Sequence, residues 1–327
     1  MTATAQERHV TACRYREFAE REARGQSPHY EKLALEIAGC ETCLAFLNSL
    51  PVGKRQPNLF LAAIRHVAGV PSTIGEVEAA ILAHCDRITN IMLSRATQTN
   101  EPGRCAVLLP VLARLPQPLA IIEVGASAGL CLLPDRYAYD YGRHRLNPAD
   151  LDQIDAPILS CQANAMTPLP ARMPEITWRC GLDLKPLDVM VDADMDWLRM
   201  LIWPGQDDRR ARLEAAISVA RRHPPEIRRG NLLQHLPAVV ASAPRDAHLV
   251  IFHTAVLAYV RNQADRNRFA DVVRNCGATW ISNEAPAVFP QMACPSSTKA
   301  GQFLLSVDGK PCASTGPHGQ SIDWMAE

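Results

Sequence analysis

Neither sign of charge is in excess along this chain of 327 residues: Lys+Arg and Asp+Glu each number 34. That balance removes the electrostatic case for nucleic acid or an anionic membrane as a partner. Basic pairs such as Arg221-Arg222 and Arg228-Arg229 read as solvated helix faces. Long hydrophobic runs are missing as well. The longest, around Leu119 to Leu133, is broken by Glu123 and by glycines and is too short to span a bilayer. The opening stretch, MTATAQERHVTACRYREFAEREARG, is too polar for a signal peptide, so a cytoplasmic protein is expected. The metal and phosphate signatures H-E-x-x-H and G-x-x-x-x-G-K-[ST] are absent, and no resident metal is expected. The 11 cysteines are an odd number without framework spacing, which fits reduced, mostly buried thiols. The one C-x-x-C, Cys40-Glu41-Thr42-Cys43, lacks a second pair and reads as two packed thiols in a helical stretch.

What is present is ordinary globular material, 47% apolar and 21% charged, long enough for one large domain or two moderate ones. Residues 1–115 read as helical, with apolar residues at helical spacing in Tyr30 to Leu50 and again in Ile74 to Met92, where Ile81, Cys85, Ile88 and Met92 share a face. No credible strand precedes Leu119. From there strands alternate with helices: strands are expected at Leu119–Val124, Ile176–Cys180, His248–Phe252, Thr279–Ser282 and Phe303–Val307. Helices are expected at Asp194–Leu201, Asp207–Arg222, Leu232–Ala241 and Asn262–Cys276. This alternation implies an α/β sheet with crossover helices over residues 116–327. A Pro/Asn/Asp-rich insertion at about 137–174 interrupts it. The residues before 116 form a helical domain expected to cap the site.

The stretch Ile121 to Leu130, IIEVGASAGL, admits two readings. As G-x-S-x-G it is a nucleophile elbow with Ser127 attacking. Such an elbow takes part of its oxyanion hole from a loop after an earlier strand, and none is expected here. Asp183 or Asp194 with His253 or His318 supply the remaining partners in the right order, but in a chain rich in Asp and His that order is weak support. As a nucleotide loop it offers a first strand, the acid Glu123, and small residues Gly125, Ala126, Ser127 and Gly129 that let the backbone approach a ligand. A helix from about Leu130 toward Tyr137 would then aim free amides at it. Asp183 is the candidate for holding ribose hydroxyls, with a turn or cap role as its alternative. His253 follows the strand His248–Phe252 at the edge that faces the ligand crevice in open α/β sheets, with a buried structural histidine as the alternative.

The spacing E-x-G-x-S-x-G resembles the first motif of class I S-adenosylmethionine-dependent methyltransferases, and Gly230-Asn231 resembles their third, with Asn231 in place of an acid and a plain N-cap as its alternative role. A longer series of phrases runs in order over nearly the whole chain. It comprises Ser27-Pro28-His29-Tyr30, Arg55-Gln56-Pro57-Asn58-Leu59, RATQTNEPGR (residues 95–104), GASAGLCLLPDRYAYDYG, Arg179-Cys180-Gly181-Leu182-Asp183, Trp203-Pro204-Gly205-Gln206 and Pro317-His318-Gly319. Together these resemble a bacterial domain-of-unknown-function family, number 2332. The resemblance implies a Rossmann-like, methyltransferase-type fold; it carries no substrate. Cys131 departs from that pattern, where Asn is usual, and so does Asn231, where Asp is usual.

Substrate chemistry is expected around Gln98, Asn100, Glu101 and Arg104, with capping as the alternative role for that polar phrase. Arg136, Tyr137 and Glu284 are further candidates, and His253 or Glu101 is the expected base. The expected function is therefore S-adenosylmethionine-dependent methyl transfer to a small molecule. A Ser127 hydrolase and a non-catalytic nucleotide-binding protein of the same fold are the alternatives.

Overall fold

The computed structural model describes residues 5–148, 156–260, 262–292 and 301–326. The chain divides into two compact units, Met1–Thr99 with Ala193–Arg210, and Asn100–Asp192 with Ala211–Glu327.

The first unit is helical: α1 (Ala5–Phe18), α2 (Pro28–Ile37), α3 (Glu41–Ser49), α4 (Pro57–Ala68) and α5 (Ile74–Ser94). Ser27 accepts the Tyr30 amide and Thr73 accepts that of Glu76, each at 3.3 Å, so two of these helices start at side-chain caps. The stretch Tyr30 to Leu50 is two helices rather than one, because Cys40 is extended (φ −90°, ψ 117°). Cys85 is exposed although Ile81, Ile88 and Met92 are buried. The non-helical His84 (φ −134°, ψ 27°) shifts the helical register at that point. Residues of the quoted family phrases join this unit together. Arg55 donates to Asn48 Oδ1 and to the Leu50 carbonyl, both at 2.8 Å. Trp203 donates to Asn58 Oδ1 at 2.8 Å.

The second unit begins before the sheet, not at residue 116. Its helix α6 (Cys105–Leu112) is buried at all eight positions. A helix apolar on every side lies inside a core, so it belongs with the sheet it precedes. β1 (Leu119–Val124) is likewise buried throughout. In place of the expected helix after the loop there are two 3₁₀ turns, Leu130–Leu132 and Pro134–Arg136, because Leu133 leaves helical geometry (φ −115°, ψ 38°) ahead of Pro134.

Within the insertion, part of which lies outside the described residues, β2 (Ala138–Asp140), β3 (Arg145–Leu146) and β4 (Ile158–Ser160) make a small sheet. The chain continues through β5 (Gln162–Ala163), β6 (Ile176–Asp183), α7 (Asp192–Leu201), α8 (Asp207–Arg222), β7 (Ile227–Arg229) and α9 (Leu232–Val240). It closes with β8 (His248–Thr254), α10 (Gln263–Arg274), β9 (Thr279–Glu284), β10 (Phe303–Val307), β11 (Lys310–Thr315) and β12 (Ser321–Trp324).

The main sheet has nine strands in the order β5-β12-β11-β10-β9-β8-β1-β6-β7. Every pairing from β9 through β7 is parallel, whereas β9 to β12 pair antiparallel. The architecture is mixed α/β with a large, mostly parallel sheet and a helical N-terminal region. Leu236 and Val239 of α9 and Phe269 and Val273 of α10 pack with Ile122, Ile251 and Trp280 to form one core layer. Among the described residues no helix is long and apolar enough to cross a membrane.

Candidate functional site

β1 hands over to a tight loop at Gly125. Both loop glycines are left-handed, Gly125 at φ +76° and Gly129 at φ +73°. A Cβ on Gly125 would lie 2.2 Å from Val256 Cγ2, and one on Gly129 2.7 Å from Pro225 Cγ. The glycines therefore serve the packing of neighbouring loops. Ser127 takes a left-handed position (φ +53°) without being glycine. The loop amides bond within the protein. Gly125 and Ala126 donate to the Leu182 carbonyl (2.8 and 3.4 Å), Gly129 to Ala126 O (2.7 Å), and Leu130 to Asn100 Oδ1 (2.9 Å). Free amides at a helix start, expected from the sequence, are not what this loop offers.

Beside it, at the end of β6, stands Asp183. Its Oδ2 accepts the Ser127 amide at 2.9 Å and its Oδ1 accepts the Lys185 amide at 2.8 Å. A carboxylate offers about four lone-pair sites, so each oxygen keeps one more. Asp183 is half-buried, and the two amides fix its orientation. At the end of the next strand, β7, the half-buried Asn231 caps α9 by accepting the Leu233 amide at 2.8 Å. Cap and ligand roles are compatible there, since the cap uses only Oδ1.

A second set of polar residues collects on one face of β1, β8 and β9. The register Glu123–Phe252 and Phe252–Ile281, read two residues on, puts Glu123, Thr254 and Asn283 on the same face. Arg104 lies over them: it donates to the Thr254 carbonyl (3.2 Å) and the Pro317 carbonyl (2.9 Å), with its guanidinium 6.0 Å from the Phe303 ring centre. Thr315 donates to Asn283 Oδ1 at 2.7 Å. Asn283 Nδ2 and Glu123 Oε2 are buried with no protein partner, the kind of atom that calls for a bound polar group. Burial pushes the Glu123 carboxyl well above the usual range, and the Cys131 and Asp183 side chains add to it; Arg104 opposes the shift without overcoming it. In its neutral form Glu123 is a donor as well as an acceptor.

Glu101 adjoins this face. Its Oε1 accepts from Gly103 N (3.1 Å) and pairs with Arg212 Nε (3.0 Å), while Oε2 is 3.9 Å from His318 Nδ1. Only 3% exposed, it works as a structural anchor in this arrangement rather than as an open base. Cys131 donates to the Glu101 carbonyl at 3.3 Å. The Cys105 hydrogen bond and then burial push the Cys131 thiol well up, so this departure from the family pattern falls in packing.

His253 points to the opposite face of the sheet. Trp280 Nε1 donates to its Nε2 at 3.0 Å, so the ring hydrogen sits on Nδ1, which donates to Glu284 Oε1 at 2.8 Å. Glu284 Oε1 also accepts the Val256 and Leu257 amides (2.9 and 3.1 Å). With 0% exposure and both nitrogens engaged, His253 has no lone pair for a substrate proton; Glu284 Oε1 is its partner, while Glu284 Oε2 is buried with no protein partner. His253 is not placed as the imidazole that a Ser127 nucleophile needs, since Trp280 and Glu284 engage both its nitrogens.

Tyr137, fully buried, donates to the Leu130 carbonyl at 2.7 Å and closes the bend after the loop. Half-exposed Arg136 lies 3.4 Å from Asp135, which Arg179 holds at 2.8 and 3.0 Å. Gln98 belongs to the helical unit. The structure therefore brings Asn100, Glu101, Arg104 and Glu123 to one edge with Asp183 and Asn231. It adds Thr254, Asn283, Thr315 and Arg212, which sequence reasoning missed. Period-two alternation from Glu284 would have flagged Asn283 as facing the other way.

The chain belongs to the family described as uncharacterized protein conserved in bacteria (DUF2332), whose model matches residues 12–324. No curated protein and no solved structure matches the chain.

Proposed function

We propose that this member of the bacterial family is a Rossmann-like, S-adenosylmethionine-dependent methyltransferase acting on a small molecule. One observation carries the reading: after β1 the chain runs first to β6 and β7 on one side and then to β8 and β9 on the other. That reversal makes a switch point between β1 and β8, and open α/β sheets bind ligands outside the strand ends at such points.

The residues present fit the adenosine half of the cofactor. Asp183, held by two amides with lone pairs remaining, accepts the ribose hydroxyls, and the Asn231 amide nitrogen is the group for the base. The loop contributes shape rather than amides. When bound, the cofactor supplies an electrophilic methyl group. The acceptor lies toward Arg104, Asn283 and Thr254, where Arg104 orients an anionic or electron-rich group and neutral Glu123 donates a hydrogen bond. Burial of this face excludes water and strengthens those contacts. Among the described residues no side chain is placed as an obvious base, which suits an acceptor that reacts without losing a proton first.

Calorimetric titration of the full chain with S-adenosylmethionine and S-adenosylhomocysteine tests the reading. Saturable binding of one molecule per chain, weakened by Asn231→Ala, supports it. No heat with either ligand up to about 1 mM, a floor near 4 kcal/mol of affinity, overturns it.

A further inference from the structure

The C-x-x-C of the helical unit straddles the start of a helix, with Cys40 at the cap and Cys43 buried in the first turn. Cys40 caps α3 in extended geometry (φ −90°, ψ 117°), and its sulfur accepts the Cys43 amide at 3.4 Å. Two residues three apart inside a helix keep their Cβ atoms about 5–6 Å apart, too far for a disulfide's roughly 3.5–4.5 Å. With Cys40 outside the helix its sulfur instead folds over the first turn, within hydrogen-bond reach of the Cys43 amide. The two differ in access, Cys40 being partly exposed and Cys43 fully buried. A third group arrives from α5: Cys40 Sγ donates to Glu78 Oε1 at 3.3 Å.

We propose that Cys40 and Cys43 are a redox-active dithiol that exchanges with small-molecule disulfides such as oxidised glutathione. Cys40 is the attacking thiol, Cys43 the resolving one and Glu78 the proton acceptor. In the first step the Glu78 carboxylate takes the Cys40 proton as the sulfur attacks one sulfur of the small disulfide. The S–S bond breaks, and the displaced thiolate leaves with the proton from Glu78. In the second, the Cys43 sulfur attacks Cys40 Sγ, and the second small thiolate leaves with the Cys43 proton. One disulfide and two thiols become one protein disulfide and two small thiols. The protein loses two electrons and the small disulfide gains them. Burial pushes the Cys43 thiol up, so it stays protonated until the mixed disulfide presents it with a target.

The chain carries its own reporter. Cleavage after Lys32 and Lys54 releases residues 33–54, which hold Cys40 and Cys43 and no other cysteine. The native full chain is equilibrated in glutathione buffers of graded redox ratio, alkylated and digested. The peptide is expected to lose two hydrogens under conditions where the peptides carrying buried Cys105, Cys131 and Cys180 are still alkylated only after unfolding. Cys43→Ser should trap a glutathione adduct at Cys40, Cys40→Ser should give none at Cys43, and Glu78→Gln should slow oxidation at least several-fold. A peptide that stays fully reduced across the series, or that oxidises only when the chain is denatured, overturns the proposal. So does an adduct on Cys43 in the Cys40→Ser variant.

Discussion

Ser127 donates its backbone amide to Oδ2 of Asp183 at 2.9 Å, tying the loop after β1 to the end of β6. That bond holds the Asp183 carboxylate in one orientation while leaving lone pairs for a ligand. Asp183→Ala removes the acceptor of two amides, at Ser127 and Lys185, and should cost about 1–3 kcal/mol of stability, since each net hydrogen bond contributes about 0.5–1.5 kcal/mol and water replaces the carboxylate at a half-exposed site. The same variant should lose S-adenosylhomocysteine binding far beyond what that destabilisation explains. Urea unfolding and calorimetry on the same preparation separate the two effects.

Gly125→Ala is expected to be severe. The new Cβ meets Val256 Cγ2 at 2.2 Å and adopts a left-handed backbone at φ +76°. Overpacking and left-handed strain together amount to about 2–5 kcal/mol. Pairing it with Val256→Ala should recover the packing part and leave the backbone part, which thermal unfolding of the three variants would reveal.

Glu123 gives the fold a pH signature. Burial holds its carboxyl above the ordinary value of 4.5 in the folded state, so between that value and its folded pKa the folded chain binds the extra proton. The contribution is complete below the unfolded pKa and is lost as pH rises toward the folded one. Glu123→Gln should flatten this decline, which for a single proton is at most about 1.4 kcal/mol per pH unit. Unfolding free energies from pH 5 upward check it; equal slopes in both proteins would refute it.

His253 should behave as a core residue. Its replacement by Ala removes the partner of Trp280 Nε1 and one partner of Glu284, each a buried polar group costing about 1–3 kcal/mol when left unsatisfied. His253→Ala should therefore lower the unfolding midpoint markedly. In the wild-type protein, nitrogen-15 spectra should report the Nδ1–H tautomer. A fluorophosphonate probe should leave Ser127 unlabelled, since His253 has both nitrogens engaged and is not available to activate it.

β1 is legible in the sequence as a continuous apolar run, and β6, β8, β9 and β10 as shorter apolar stretches alternating with periodic helices. β7, β11 and β12 are not, because Ile227–Arg229 is mostly charged and the last two mix polar residues with short turns. The helix expected after the loop fails at Leu133-Pro134, where local backbone preference outweighs the apolar pattern. The polar residues of the site were legible where they sit in dense phrases, as with Glu101, Arg104 and Glu123. Thr254, Asn283 and Thr315 come together only through strand pairing, and a lone threonine carries no signal until its register is known. His253 was legible as a strand-end residue; its direction was not, since adjacent strand positions face opposite sides.

The most direct measurement is an amide-resolved nuclear magnetic resonance titration of the full chain with S-adenosylhomocysteine. The account predicts saturable shifts at the amides of Ser127, Lys185 and Leu233, the three donors that fix Asp183 and Asn231. Saturable shifts elsewhere with these three unmoved, or no shifts at all, would contradict it.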